Sequence, residues 1–125
     1  MLDIAYEKIA MMIDPALTVS RDGDFVYLLY PNPPINRNIL FQETENALIV
    51  WSNEYYDKPM YEVFSIIARL ADEDLIFPFV ESEEEYRAVM ALGAVPTDFD
   101  DIGCEDLCRE YGSFLLKKES NHHGF

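Results

Sequence analysis

The chain has 125 residues, half of them hydrophobic and 14% aromatic, enough for one packed domain and too apolar for a disordered segment. Its 24 acidic and 9 basic side chains give a formal charge of −15, which opposes binding to nucleic acid or an anionic membrane, since both rely on cationic contacts. No apolar run approaches the roughly 20 residues that span a bilayer, and the first residues lack the basic region and apolar core of a signal peptide, so a cytoplasmic setting is expected.

Leu2, Ala5, Tyr6, Ile9, Met12 and Ile13 recur at helical spacing, with Asp3 as the expected cap and Pro15 as the stop. Leu17–Val19 and Phe25–Tyr30 flank Asp22-Gly23, a hairpin signal because glycine accepts the positive φ of such turns. Pro31-Asn32-Pro33-Pro34 cannot continue a strand and predicts a stiff loop. Ile39–Phe41 and Ala47–Trp51, on either side of Glu43–Asn46, predict a second hairpin.

From Pro59 to Ala71 the residues Met60, Val63, Phe64, Ile67, Leu70 and Ala71 form one wide apolar stripe, a helix that must lie on a sheet. Leu75–Val80 is short and rich in β-branched and aromatic residues, as buried strands are. Ser82-Glu83-Glu84-Glu85 matches a capping box and opens a helix expected to bury Tyr86, Val89 and Met90 and to stop near Gly93. Val95–Asp98 predicts a turn, Gly103 to Tyr111 a short helix, and Phe114–Leu116 a last edge strand. The expected fold class is α+β: a mainly antiparallel sheet of four to six strands with helices packed on one side. One domain over 1–118 and a flexible tail over 119–125 complete the expectation.

Cys104 and Cys108 fall on one helix face, and His122 with His123 would be needed to complete a zinc site. The spacing to those histidines fits no zinc-finger pattern, and cysteine is among the residues most often buried, so core cysteines are expected. Asp98, Asp100 and Gly103 occupy positions 1, 3 and 6 of a calcium-binding loop, but Ile102 and Arg109 stand where positions 5 and 12 need oxygen ligands. An EF-hand is therefore excluded, and no metal or other cofactor is expected. There is no nucleophile elbow, phosphate loop, dinucleotide fingerprint or His-Glu-x-x-His, so no enzymatic activity is expected.

The charge is uneven. Residues 1–71 hold ten acids and five bases, whereas residues 72–110 hold thirteen acids against Arg87 and Arg109. Such a field attracts cationic proteins, although it also serves plain solubility. The loop around Tyr55 and Tyr56 adds stiff amphipathic side chains of the kind that anchor interfaces, unless they staple the following helix.

The expected function is an acidic protein-binding module that neutralises a basic partner such as a toxin or nuclease. In size, charge and lack of catalytic motif the chain is similar to bacterial immunity proteins and phage-encoded inhibitors. Steering falls to Asp72, Glu73, Asp74, Glu83, Glu84, Asp98, Asp100 and Asp101, and contact to Tyr55 and Tyr56. The runner-up is a non-catalytic accessory subunit that self-associates through an apolar face, with a homodimer open; a carboxylate- or metal-dependent enzyme comes third.

Overall fold

The computed structural model describes residues 3–31, 38–52, 58–80, 82–97 and 111–118. The elements in chain order are α1 (Tyr6–Ile13), β1 (Thr18–Asp22), β2 (Phe25–Leu29), β3 (Asn38–Glu43), β4 (Leu48–Ser52), α2 (Met60–Ala71), β5 (Leu75–Val80), α3 (Glu83–Ala91), β6 (Val95–Thr97) and β7 (Gly112–Leu116). The strands form one seven-stranded sheet in the order β1-β2-β3-β4-β5-β7-β6. β4 and β5 pair in parallel; every other neighbouring pair is antiparallel.

The first four strands are a meander built from local signals. Gly23, at φ +61°, turns β1 into β2, as the Asp-Gly pair predicts. Thr44 closes the next hairpin by accepting from the Ala47 amide (3.0 Å) and donating to its carbonyl (2.7 Å). A parallel pair cannot be joined by a tight turn, so the chain leaves β4, runs through α2 and returns in β5. α2 packs against α1 on one side and α3 on the other.

The three helices cover the sheet face that carries Val26, Leu28, Ile39, Phe41, Leu48, Val50, Leu75, Phe77, Phe114 and Leu116. From α2, Val63, Phe64 and Ile67 are fully buried in that layer. The Phe64 ring lies 4.7 Å from that of Phe77, centroid to centroid. On the other face the register sets Phe25, Gln42, Ile49, Ile76, Leu115 and Val95 in one row across the sheet.

Several boundaries differ from the sequence reading. α1 begins at Tyr6, not near Leu2, and its N-cap is Ala5 with no side-chain bond, so Asp3 is not the cap. Asp14 is extended at the other end, as Pro15 requires. Seven strands are present where four to six were expected, because Val95–Thr97 is a strand and not a turn. Its Pro96 has no N–H to give a ladder, and an outermost strand tolerates that.

With β6 outside it, Phe114–Leu116 becomes the interior strand β7 instead of an edge. Pro78 also lies in a strand, and there the β5–β7 register shifts between Phe77 and Val80. The irregularity removes the demand for a proline N–H, and Ser113 Oγ donates to the Pro78 carbonyl. Met90 is exposed and Tyr86 half-buried, whereas Ala88 and Val89 fill the α3 contact. The helix expected over Gly103 to Tyr111 lies outside the described residues up to 110, as does the 119–125 tail.

Truncating Phe64 to alanine removes a ring with almost no exposure from the centre of this layer. Phe64→Ala should cost about 3–5 kcal/mol, read as a lowered urea midpoint at unchanged slope.

Candidate functional site

Two helix N-termini meet at one end of the central strands. β4 and β5 are parallel, so α2 and α3, which follow them, start from the same end. The Met60 amide at the start of α2 donates to Glu84 Oε2 of α3 at 3.0 Å. A carboxylate there satisfies an amide that has no partner within its own helix and complements the α2 dipole. At α3 itself, Ser82 Oγ accepts from the Glu85 amide and donates to Glu85 Oε1, both at 3.1 Å. The expected capping box is thus closed through the serine hydroxyl.

Between the start of α2 and the length of α3 lies a groove of about 460 Å³. Its floor is the buried Met60 of α2 and Ala88 of α3, with the exposed Pro59, Tyr61 and Ala91 on its walls. Arg87, Glu83 and Glu84 form the rim. The groove is open because α3 presents alanines where larger side chains would have filled it. Tyr61 is 49% exposed, a large amphipathic ring at the lip. Arg87 Nη2 and Glu83 Oε1 pair at 2.7 Å across one helical turn, with side chains 75% and 65% exposed. An exposed pair of this kind is worth about 0.3–0.5 kcal/mol.

The sequence-predicted acids do not share this site. Glu83 and Glu84 stand on its rim, while Asp72, Glu73 and Asp74 follow the opposite end of α2, about 18 Å away along a helix of 12 residues. There Asp72 takes the left-handed conformation at the C-cap (φ 53°) and lies 3.8 Å from Lys118 Nζ. Asp74 accepts from the Lys118 amide at 2.7 Å, and Lys117 Nζ lies 3.7 Å from its other oxygen. These carboxylates fasten the end of β7 beside α2. Tyr55, Tyr56, Asp98, Asp100 and Asp101 lie outside the described residues, as do Cys104, Cys108, His122 and His123.

A second polar cluster sits between α1 and the meander. Glu43, 7% exposed, accepts from the Tyr6 hydroxyl at 2.5 Å and from both Arg21 terminal nitrogens at 3.2 and 3.1 Å. Arg21 also lies over the Tyr6 ring, 5.6 Å from its centroid. Burial alone would raise the Glu43 carboxyl, but the hydrogen bonds from Arg21 and Tyr6 and the guanidinium charge outweigh it and hold the group below its ordinary value. Burial, then the bond to Glu43, pushes the Tyr6 phenol well above its own. At neutral pH one stays ionised and the other protonated, so the pair is a structural tie and not an acid–base couple.

The Tyr30 hydroxyl likewise donates to Asp14 Oδ2 at 2.6 Å, tying the end of β2 to the end of α1. That bond, with one from the Ala16 amide, holds Asp14 below its ordinary value. The loop aromatic therefore covers the sheet end. Among the described residues no group of three or more His, Cys, Asp or Glu side chains could hold a metal ion, and no helix among them is long and apolar enough to cross a membrane.

Sequence reasoning placed Met60 in the apolar stripe of α2 and did not single out Tyr61, Ala88, Ala91 or Glu43. The strand alternation could have found Glu43, since Ile39, Phe41 and Glu43 all point to the helix side. In comparisons with known proteins, no family model, no curated protein and no solved structure matches this chain.

Tyr6→Phe should lower stability by about 1–2 kcal/mol and Glu43→Gln by more, since the latter weakens the acceptor of three bonds. Because the folded Glu43 carboxyl titrates below its ordinary 4.5, its contribution is complete above that value and is lost as pH falls through the folded one. The stability gap between wild type and Glu43→Gln should therefore be widest at neutral pH and close on acidification in urea titrations.

Proposed function

We propose that this protein is a non-catalytic binding module of the cytoplasm that captures and neutralises a cationic protein, in the manner of an inhibitor or immunity protein. The observation that carries this reading is the groove between α2 and α3, apolar in its floor and edged by Glu83 and Glu84, on a chain of net charge −15. Apolar floors supply affinity when filled, and a field of one sign raises the encounter rate with the opposite sign. The two described acidic groups divide the work. Asp72 and Asp74 are tied to Lys118 and Lys117 and add only to the long-range field, whereas Glu83 is held by a solvent-exposed pair at the groove itself.

A second reading, self-association through an apolar face, is favoured by the exposed Met11 and Met12 on α1 and by the exposed Phe25 and Val95 on the sheet face away from the helices.

Affinity capture from native lysate at low and high salt separates the two. The expected outcome is one basic protein recovered near-stoichiometrically at low salt and lost at high salt, with Glu83→Lys slowing its association several-fold. A self-oligomer whose mass rises with concentration and ignores salt, with no basic protein bound, would overturn the proposal in favour of the second reading.

A further inference from the structure

We infer that the α2–α3 groove is a seat for a basic amphipathic helix, whose apolar side chains enter between Met60 and Ala91 while a lysine or arginine takes Glu83 from Arg87. The inference rests on the binding-module reading and adds the place, the shape and the chemistry of the occupant.

The geometry of the groove leads to it. The groove is bounded by two helices whose N-termini start together, and its space, about 460 Å³, fits a few apolar side chains. A helix offers such side chains at i, i+3 and i+4 on one face, and laying that face in an apolar groove is a common mode of peptide recognition. The floor is already apolar, and Tyr61 at the lip is a rigid ring with half its surface free to pack on a newcomer.

The charge selects the sign of that helix. Among the described residues Glu83 pairs with Arg87 one turn away, with both side chains largely in solvent. An incoming cation returns Arg87 to water and gives up only an exposed pair, worth about 0.3–0.5 kcal/mol, against the desolvation of itself and of Glu83. Glu84 stays on the Met60 amide and keeps α2 capped while this happens. An anionic helix would find one cation on the rim, Arg87, against Glu83, Glu84 and a net charge of −15. It would be repelled before contact.

The test uses a synthetic amphipathic peptide of leucine and lysine only, about 15 residues long so that it can hold a helix, and its leucine–glutamate counterpart. Binding is followed on the full chain by NMR of the methionine and alanine methyls. The expected result is that the lysine peptide shifts Met60, Ala88 and Ala91 first, that the glutamate peptide shifts none, and that Ala91→Trp weakens binding at least tenfold.

Ala91 is exposed, so a tryptophan there fills the groove from outside. Should that variant fail to fold, Glu83→Lys on the solvent side must give a several-fold loss. Shifts centred on Met11 and Met12, shifts spread evenly over the acidic surface, or groove shifts that follow protein concentration without peptide would each overturn the assignment. A basic protein captured equally by wild type and Ala91→Trp would overturn the groove as the seat while leaving the binding-module reading standing.

Discussion

The parallel pairing of β4 with β5 is the constraint from which the rest of the molecule follows. Only Leu48 with Leu75 and Ile49 with Ile76 are in register, yet that short contact joins a four-stranded meander to a three-stranded second half. Because parallel strands need a crossover, α2 must lie over the junction, and its apolar stripe is what fills the space. Val63, Phe64 and Ile67 have no appreciable exposure. Burying each such side chain is worth about 1.5–3 kcal/mol, so the junction is held by packing far more than by its few backbone bonds. The same geometry sends α2 and α3 off from one end of the strands, and a groove opens between the start of α2 and α3.

Charge in this protein is arranged by helix ends. Glu83, Glu84 and Glu85 crowd the first turn of α3, and Glu84 also serves α2, so the acids sit where the dipoles favour them. At the far end of α2 an acid is unfavourable to the dipole, and there Asp72 comes with Lys118 and follows Arg69 in the last turn. Among the described residues, the acids of a stretch that looks like one block in the sequence are two sets of carboxylates near opposite ends of α2. The net field survives, but the local roles differ.

How much of this was legible depends on how local each signal is. The Asp22-Gly23 hairpin, the α2 stripe, the Pro15 stop and the Ser82 cap rest on residues within a few positions of one another, and all are found where expected. β6 was hidden because Pro96 argues against a strand unless one knows that the strand is outermost, and that depends on β7, more than a dozen residues later. The groove was hidden for the same reason. Met60 and Glu84 are 24 positions apart, and nothing short of the two crossovers brings them together. Glu43 is the intermediate case: the alternation places it inward, but its partners Tyr6 and Arg21 come from two other elements.

The position of β7 between β5 and β6 has a kinetic consequence. Both neighbours precede it in the chain, so neither can complete its ladder until β7 has left the ribosome. The meander can pair with itself early, since its contacts are between consecutive strands, and α2 can then bring β5 alongside β4. What remains is an apolar half-sheet with an open edge that waits for its last strand. Such an intermediate exposes the surface on which nascent chains associate wrongly. On a chain of −15 every copy repels every other, so the acidity protects the half-built sheet during synthesis, independently of any partner the finished domain binds.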